Sequence, residues 1–271
     1  MRVQETGGKI LSTTIYYFSG TGNSLKVTKD IAKKLRNTDI VSIPNVNDKK
    51  EIIITSDCIG LVFPVYAYGM PLIVSRFIKK LTITGNHNYS FVVATCRSEK
   101  GGAIYQAKNE LKARGLKLSS GFTAYMPGNA INSYEAESTD AQQERFDLWG
   151  RKLDEIASII RNKENFIERS TILERAFQFT IINSIASRLF NKWDKRFWSD
   201  NNCNGCGICQ RICPVTNITI KNNKPVWLNK CEQCFACINW CPRASIQYKK
   251  VTIGRKRYNN PAIILKEMIK R

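Results

Sequence analysis

Histidine is nearly absent from this sequence: His87 is its only one, set in the turn-like stretch GNHNY. Catalysis by a histidine-based triad and metal sites built on imidazole therefore have almost nothing to work with. No paired-carboxylate or Ser/His/Asp constellation stands out either. Acidic residues are scarce, 22 against 42 Lys and Arg, which leaves a formal charge of +20. No run approaches the ~18 apolar residues that a membrane span needs. The opening MRVQETGGKILSTTIYYF lacks the charged start and long apolar stretch of a secretory leader, so a cytoplasmic location is expected. Without export, ten cysteines argue for metal or redox chemistry and against a disulfide framework.

The positive charge is uneven. From residue 201 onward, 13 Lys and Arg face only Glu232 and Glu267. Such a balance favours acidic partners or anionic surfaces over neutral ones.

Eight of the cysteines fall into two runs with one grammar, CNGCGICQRICP from Cys203 to Pro214 and CEQCFACINWCP from Cys231 to Pro242. Each run is a triple at steps of three, then a fourth cysteine four residues on, followed by proline. Four soft thiolates around one centre select zinc or iron–sulfur clusters. Structural zinc sites usually show paired knuckles separated by a longer loop, whereas a tight triple suits three corners of a cubane. The stretch from residue 200 to 248 resembles bacterial two-cluster ferredoxins. That resemblance implies two 4Fe–4S clusters with crossed ligation, in which the fourth cysteine of each run serves the other cluster. One cluster then takes Cys203, Cys206, Cys209 and Cys241; the other takes Cys231, Cys234, Cys237 and Cys213. Between the runs, NITIKNNKPVWL reads as a hairpin turning at Asn222 and Asn223. Arg211, Lys230 and Arg243 lie close to ligands in sequence, and nearby positive charge raises a cluster's potential.

At the other end, TTIYYF reads as a buried strand, and a helical pattern with Leu25, Ile31, Ala32 and Leu35 follows it. The loop between them is SGTGNS, residues 19 to 24. Hydroxyls and N–H groups at a helix start form an anion-binding arrangement. The loop lacks the lysine of a Walker A motif and the spacing of GxGxxG, so ATP and NAD are poorly supported. It resembles the FMN phosphate loop of flavodoxins, with Ser19, Thr21, Gly22 and Ser24 at the matching positions and Gly20 and Asn23 between them. Further strands are expected at 40–43, 58–66, 89–95 and 116–125, with helices at 70–81 and 103–114. Alternation of strand and helix implies an α/β fold with a doubly wound parallel sheet. In the flavodoxin-like order 2-1-3-4-5, ligand binds where strands one and three diverge. The resemblance then implies ring contacts from Tyr66, Tyr68 and Gly69 in the second loop and from Thr95, Cys96 and Gly101 in the third.

The whole chain resembles the flavodoxin-like/ferredoxin fusion proteins of anaerobic bacteria and archaea. The resemblance rests on YFSGTGNS, FPVYAYGMP, YMPGN (Tyr125 to Asn129) and the cysteine runs. In the third loop TCRSEKGG stands where a Tyr-Gly-Gly type would be expected. The expected organisation is a flavodoxin-like FMN domain at 1–135, a helical connector at 136–199, an α+β two-cluster ferredoxin domain at 200–248 and a basic C-terminal arm at 249–271. The connector shows helical patterns over 138–163 and 171–198. The second is rich in aromatics (Phe177, Phe179, Phe190, Trp193, Phe197, Trp198), and its Arg175, Arg188, Lys192 and Lys195 are compatible with contact at a membrane surface. The arm reads as mobile, with a short helix after Pro261. No nucleic-acid recognition motif accompanies its basic residues.

The expected function is electron transfer between two 4Fe–4S clusters, FMN and an acidic redox protein. An FMN-dependent reductase of a small substrate, fed by its own clusters, is the competing enzyme reading. A redox sensor or assembly factor with a flavin-free domain is a third. Cys58 is expected as a small core residue, and Cys96 as packing near the flavin.

Overall fold

A computed structural model describes residues 12–84, 87–168 and 191–269. The chain opens with β1 (Thr13–Tyr17), α1 (Asn23–Leu35) and β2 (Thr38–Ser42), then a single turn, α2 (Ile43–Val46). It continues through β3 (Ile52–Ile54), β4 (Cys58–Pro64), α3 (Leu72–Ile78), β5 (Leu81–Ile83) and β6 (Tyr89–Cys96). Then come α4 (Ala103–Lys112), β7 (Ser120–Tyr125), α5 (Thr139–Arg161) and β8 (Phe166–Ile167). The main sheet is parallel throughout, in the order β2-β1-β4-β6-β7-β8; β3 and β5 pair separately. Leaving that small pair aside, the first five strands follow the expected 2-1-3-4-5 order.

The central strands are buried on both faces, which is why they read as continuous apolar runs. Ile15, Ile59, Leu61, Phe63, Phe91 and Val92 are essentially inaccessible. α1 packs with α5, and α3 with α4, giving one helical layer on each side of the sheet. Trp149 of α5 buries its ring and donates from Nε1 to Asp30 of α1 at 2.9 Å. The sheet therefore claims residues beyond the boundary expected at 135. α5 is its outer helix and β8 its sixth strand, because α5 turns Trp149, Ile156 and Ile160 inward.

The second half of the expected 171–198 helix takes another course. Asn191–Arg196 form a 3-10 turn, and β9 (Phe197–Ser199) pairs antiparallel with β12 (Ile246–Tyr248). Phe177, Phe179, Phe190, Arg175 and Arg188 lie outside the described residues. Within the cysteine-rich part, α6 (Ile208–Ile212) and α7 (Ala236–Asn239) follow the two cysteine triples. Between them, β10 (Ile218–Lys221) and β11 (Lys224–Trp227) form the expected hairpin. Asn222 and Asn223 both take positive φ, 48° and 57°, the signature of a type I′ turn. A short α8 (Leu265–Met268) closes the described chain. Among the described residues no helix is long and apolar enough to cross a membrane.

The two halves share one interior. Ile212, Cys234, Ala236, Trp240 and Ile263 belong to the same packed core as the main sheet. A smaller core gathers Phe197, Ile218, Phe235, Ile238 and Tyr248. In the sheet itself, a Cβ on Gly60 would lie 2.3 Å from Phe91 Cζ. Gly60→Ala is accordingly expected to cost about 1–3 kcal/mol through overpacking, read as a lower denaturant midpoint for the cofactor-loaded protein.

Candidate functional site: a cleft between sheet and cysteine cradle

The eight cysteines sort into two cavities. Cys203, Cys206, Cys209 and Cys241 line one, with Ile208, Ile220 and Ile246 beside them. Cys213, Cys231, Cys234 and Cys237 line the other, against Phe197, Val215 and Trp227. These are the two sets that crossed ligation requires. Each triple wraps its cavity by the same backbone device. Gly205 and Gly207 take φ of 72° and 73° around Cys206, and Gln233 and Phe235 take 53° around Cys234. These left-handed positions on either side of the middle cysteine bend each triple around its cavity. Gln233 N–H donates to Cys231 Sγ at 3.3 Å, and Asn217 N–H to Cys213 Sγ at 3.2 Å. Burial pushes the Cys209 and Cys234 thiols up to about 12, so bare thiolates are disfavoured there. Metal coordination reverses that preference, since a coordinated thiol is deprotonated outright. Soft donors, N–H groups donated to sulfur and apolar walls fit an anionic iron–sulfur cluster.

The second feature is a cleft at the carboxyl ends of β1, β4, β6 and β7. Ser19, Gly20, Thr21, Asn23, Ser24, Tyr66, Thr95 and Cys96 all line it. Gly22 sits just behind, in the left-handed region at φ 101°, as the residue that turns β1 into α1. Its N–H donates to Ser19 Oγ at 3.0 Å, closing the loop on itself. α1 begins with no side-chain cap and no acidic residue in its first turn. Its first N–H groups consequently lack intrahelical partners, an arrangement suited to an anion. Ser24 Oγ and Thr95 Oγ1 share a hydrogen bond of 2.8 Å that ties the first loop to the third. Tyr66 is buried edge-on to Phe18, with ring centroids 6.0 Å apart.

Tyr68, Gly69 and Gly101 do not line this cleft. Tyr66 and Gly69 exchange two backbone hydrogen bonds of 2.9 Å around a turn in which Ala67 and Tyr68 both take positive φ. That turn carries the Tyr68 backbone onto Gly101, where a Cβ would lie 2.1 Å from Tyr68 O. These residues buttress the loop from behind. Cys96 lines the cleft as a buried thiol pushed up to about 12 by burial, a packing residue at neutral pH, and Cys58 is a core residue.

Sequence reasoning missed half the wall. Met126–Ala130, Asn132–Tyr134, Trp193, Gln233 and Phe235 line it as well. Asn132 Oδ1 is buried there with no partner among the described residues, an acceptor suited to a ring N–H. Gln233 and Phe235 flank Cys234, so one cysteine loop is also a wall of the cleft. A cradle of hydroxyls and N–H groups beside aromatic faces fits FMN.

Comparison with known proteins agrees. A flavodoxin domain family model matches residues 14–132, and a 4Fe-4S dicluster domain model matches 197–242. The flavodoxin of Streptococcus pneumoniae TIGR4 aligns over 53% of this chain and 98% of its own, at 16% identity and a TM-score of 0.35. Megasphaera elsdenii flavodoxin aligns over 43% and 89%, at 19% identity and a TM-score of 0.34. An uncharacterized protein of Methanocaldococcus jannaschii is 42% identical over 41 residues, which are 15% of this chain and 11% of that protein. The chain thus spans about a tenth of the length of the curated relative it matches. By sheet order and family models, the chain is a fusion of an N-terminal flavodoxin domain and a C-terminal 4Fe–4S dicluster domain. FMN and 4Fe–4S clusters are the cofactors these domains hold.

A buried carboxylate joins the two domains. Glu232, 2% exposed, accepts from Ile73 N–H at the start of α3 at 3.1 Å and pairs with Arg76. Charged hydrogen bonds of this kind contribute about 1.5–3 kcal/mol, so Glu232→Ala is expected to lower stability by about 2 kcal/mol. Anaerobic urea unfolding would measure it; an unchanged midpoint would show that the latch is idle.

Proposed function

We propose that the protein carries electrons between a redox partner and a flavin. In this reading Cys203, Cys206, Cys209 and Cys241 hold one 4Fe–4S cluster, and Cys231, Cys234, Cys237 and Cys213 hold the other. The Ser19–Ser24 loop holds the FMN phosphate. One observation carries the reading: Gln233 and Phe235, beside Cys234, line the same cleft as Ser19, Thr21 and Tyr66. When bound, the clusters exchange single electrons and FMN one or two, the chemistry that couples one-electron donors to two-electron acceptors.

The chain's residues arrange that chemistry in space. Cys206 is exposed and Cys203 partly so, which turns the first set toward solvent. Cys231, Cys234 and Cys237 are buried, and their loop faces the flavin cleft. Around the exposed set, Arg211, Lys221 and Arg243 are exposed and Lys224 half-buried. A cationic rim steers an acidic protein toward that face. In the cleft, neutral donors from the Ser19–Ser24 loop take up phosphate charge, while Tyr66 and Trp193 offer ring faces.

Protein purified without oxygen is expected to hold roughly eight irons and eight sulfides per chain, with stoichiometric FMN. Cys206→Ser is expected to lose about half the iron and sulfide and to keep the flavin. Zinc without sulfide in native protein would overturn the reading. With an acidic ferredoxin as donor, exchange should slow steeply as salt rises. A salt-independent rate would remove the acidic partner from the account.

A further inference from the structure

The C-terminal segment is basic, with eight Lys and Arg after residue 248, yet several of its neutral residues turn inward. Tyr258, Asn260 and Ile263 are all buried. The arm expected to be mobile is docked on the first domain, and what it covers is the Ser19–Ser24 loop. A Cβ on Gly22 would meet Asn260 Cβ at 3.0 Å and Ile263 Cβ at 3.1 Å. Asn260 N–H donates to Thr21 O at 2.8 Å. Asn23 Oδ1 accepts from Tyr258 Oη at 2.5 Å and from Asn260 Nδ2 at 3.0 Å. Asn23 Nδ2 donates to Pro127 O at 2.8 Å.

We propose that this segment is a positioning element of the flavin phosphate site, with Tyr258 and Asn260 holding Thr21 and Asn23 in the anion-binding shape. The proposal rests on the reading that the Ser19–Ser24 loop takes the FMN phosphate. An asparagine at a helix start tends to turn its side-chain oxygen onto nearby backbone N–H groups, the same groups an anion needs. Here that oxygen is saturated by Tyr258 and Asn260, and α1 begins without a side-chain cap. The Thr21–Gly22 peptide is held as well. In a trans peptide C=O and N–H point oppositely. Asn260 holds the Thr21 carbonyl on one side, so the Gly22 N–H is fixed on the other, against Ser19 Oγ. A carbonyl swung toward the phosphate would repel it.

Phosphate recognition separates from ring recognition when FMN is compared with riboflavin, which lacks the phosphate. Flavin-depleted, cluster-loaded protein is titrated with each, following quenching of flavin fluorescence. The wild type should prefer FMN. Asn260→Ala should lose about tenfold in FMN affinity, with riboflavin affinity and iron content unchanged. Tyr258→Phe, which removes one hydroxyl and keeps the ring, should show a smaller loss of the same kind. A wild type that prefers FMN, with both variants keeping its preference, would overturn the proposal alone. A wild type that binds the two flavins equally would overturn the phosphate-loop reading and this proposal with it.

Discussion

The contact on which the rest depends lies between the Cys234 carbonyl and Gly20. The two backbones approach so closely that a Cβ on Gly20 would stand 2.5 Å from Cys234 O. Around that point Trp240 Nε1 donates to Gly20 O at 3.2 Å, and Asn129 Nδ2 reaches Cys234 O at 3.5 Å. Only glycine allows this approach, and it comes from the Ser19–Ser24 loop that lines the cleft. A flavodoxin domain alone would leave its cleft open on this side. Here the cysteine loop closes it, and redox groups held in the two domains are neighbours by construction.

The backbone of that loop carries the cost of its double duty. In the exposed cysteine run the two left-handed positions are glycines, Gly205 and Gly207, which adopt them freely. In the buried run they are Gln233 and Phe235, each disfavoured by roughly 1–2 kcal/mol in that region. Both side chains line the flavin cleft, and Phe235 also packs edge-on against Tyr248 at 5.7 Å. The two otherwise parallel repeats differ in what faces these positions: Gly205 abuts Asn223 and Gly207 faces open space, whereas Gln233 and Phe235 line the cleft.

Local grammar was legible in the sequence. The cysteine spacing, the SGTGNS loop and the continuous apolar strands each encode their structure within a few residues, and the sheet order followed from their alternation. What escaped depends on partners far along the chain. Phe197 and Trp198 read as helix, but pairing with Ile246–Tyr248, distant in sequence, makes them a strand. Tyr66 and Tyr68 looked equivalent until a turn with two left-handed non-glycine residues separated them. The basic composition of the last residues suggested a free arm. Three neutral residues among them, Tyr258, Asn260 and Ile263, decide otherwise, and composition does not reveal where they point.

The central claim is that one cysteine loop and the flavin cleft form a single redox unit within one chain. Its most direct test is flash reduction of the clusters in oxygen-free holoprotein, followed by the flavin absorbance as protein concentration is varied. The account predicts first-order flavin reduction with a rate independent of concentration. A rate that rises in proportion to protein concentration would mean that electrons pass between molecules, and would contradict it.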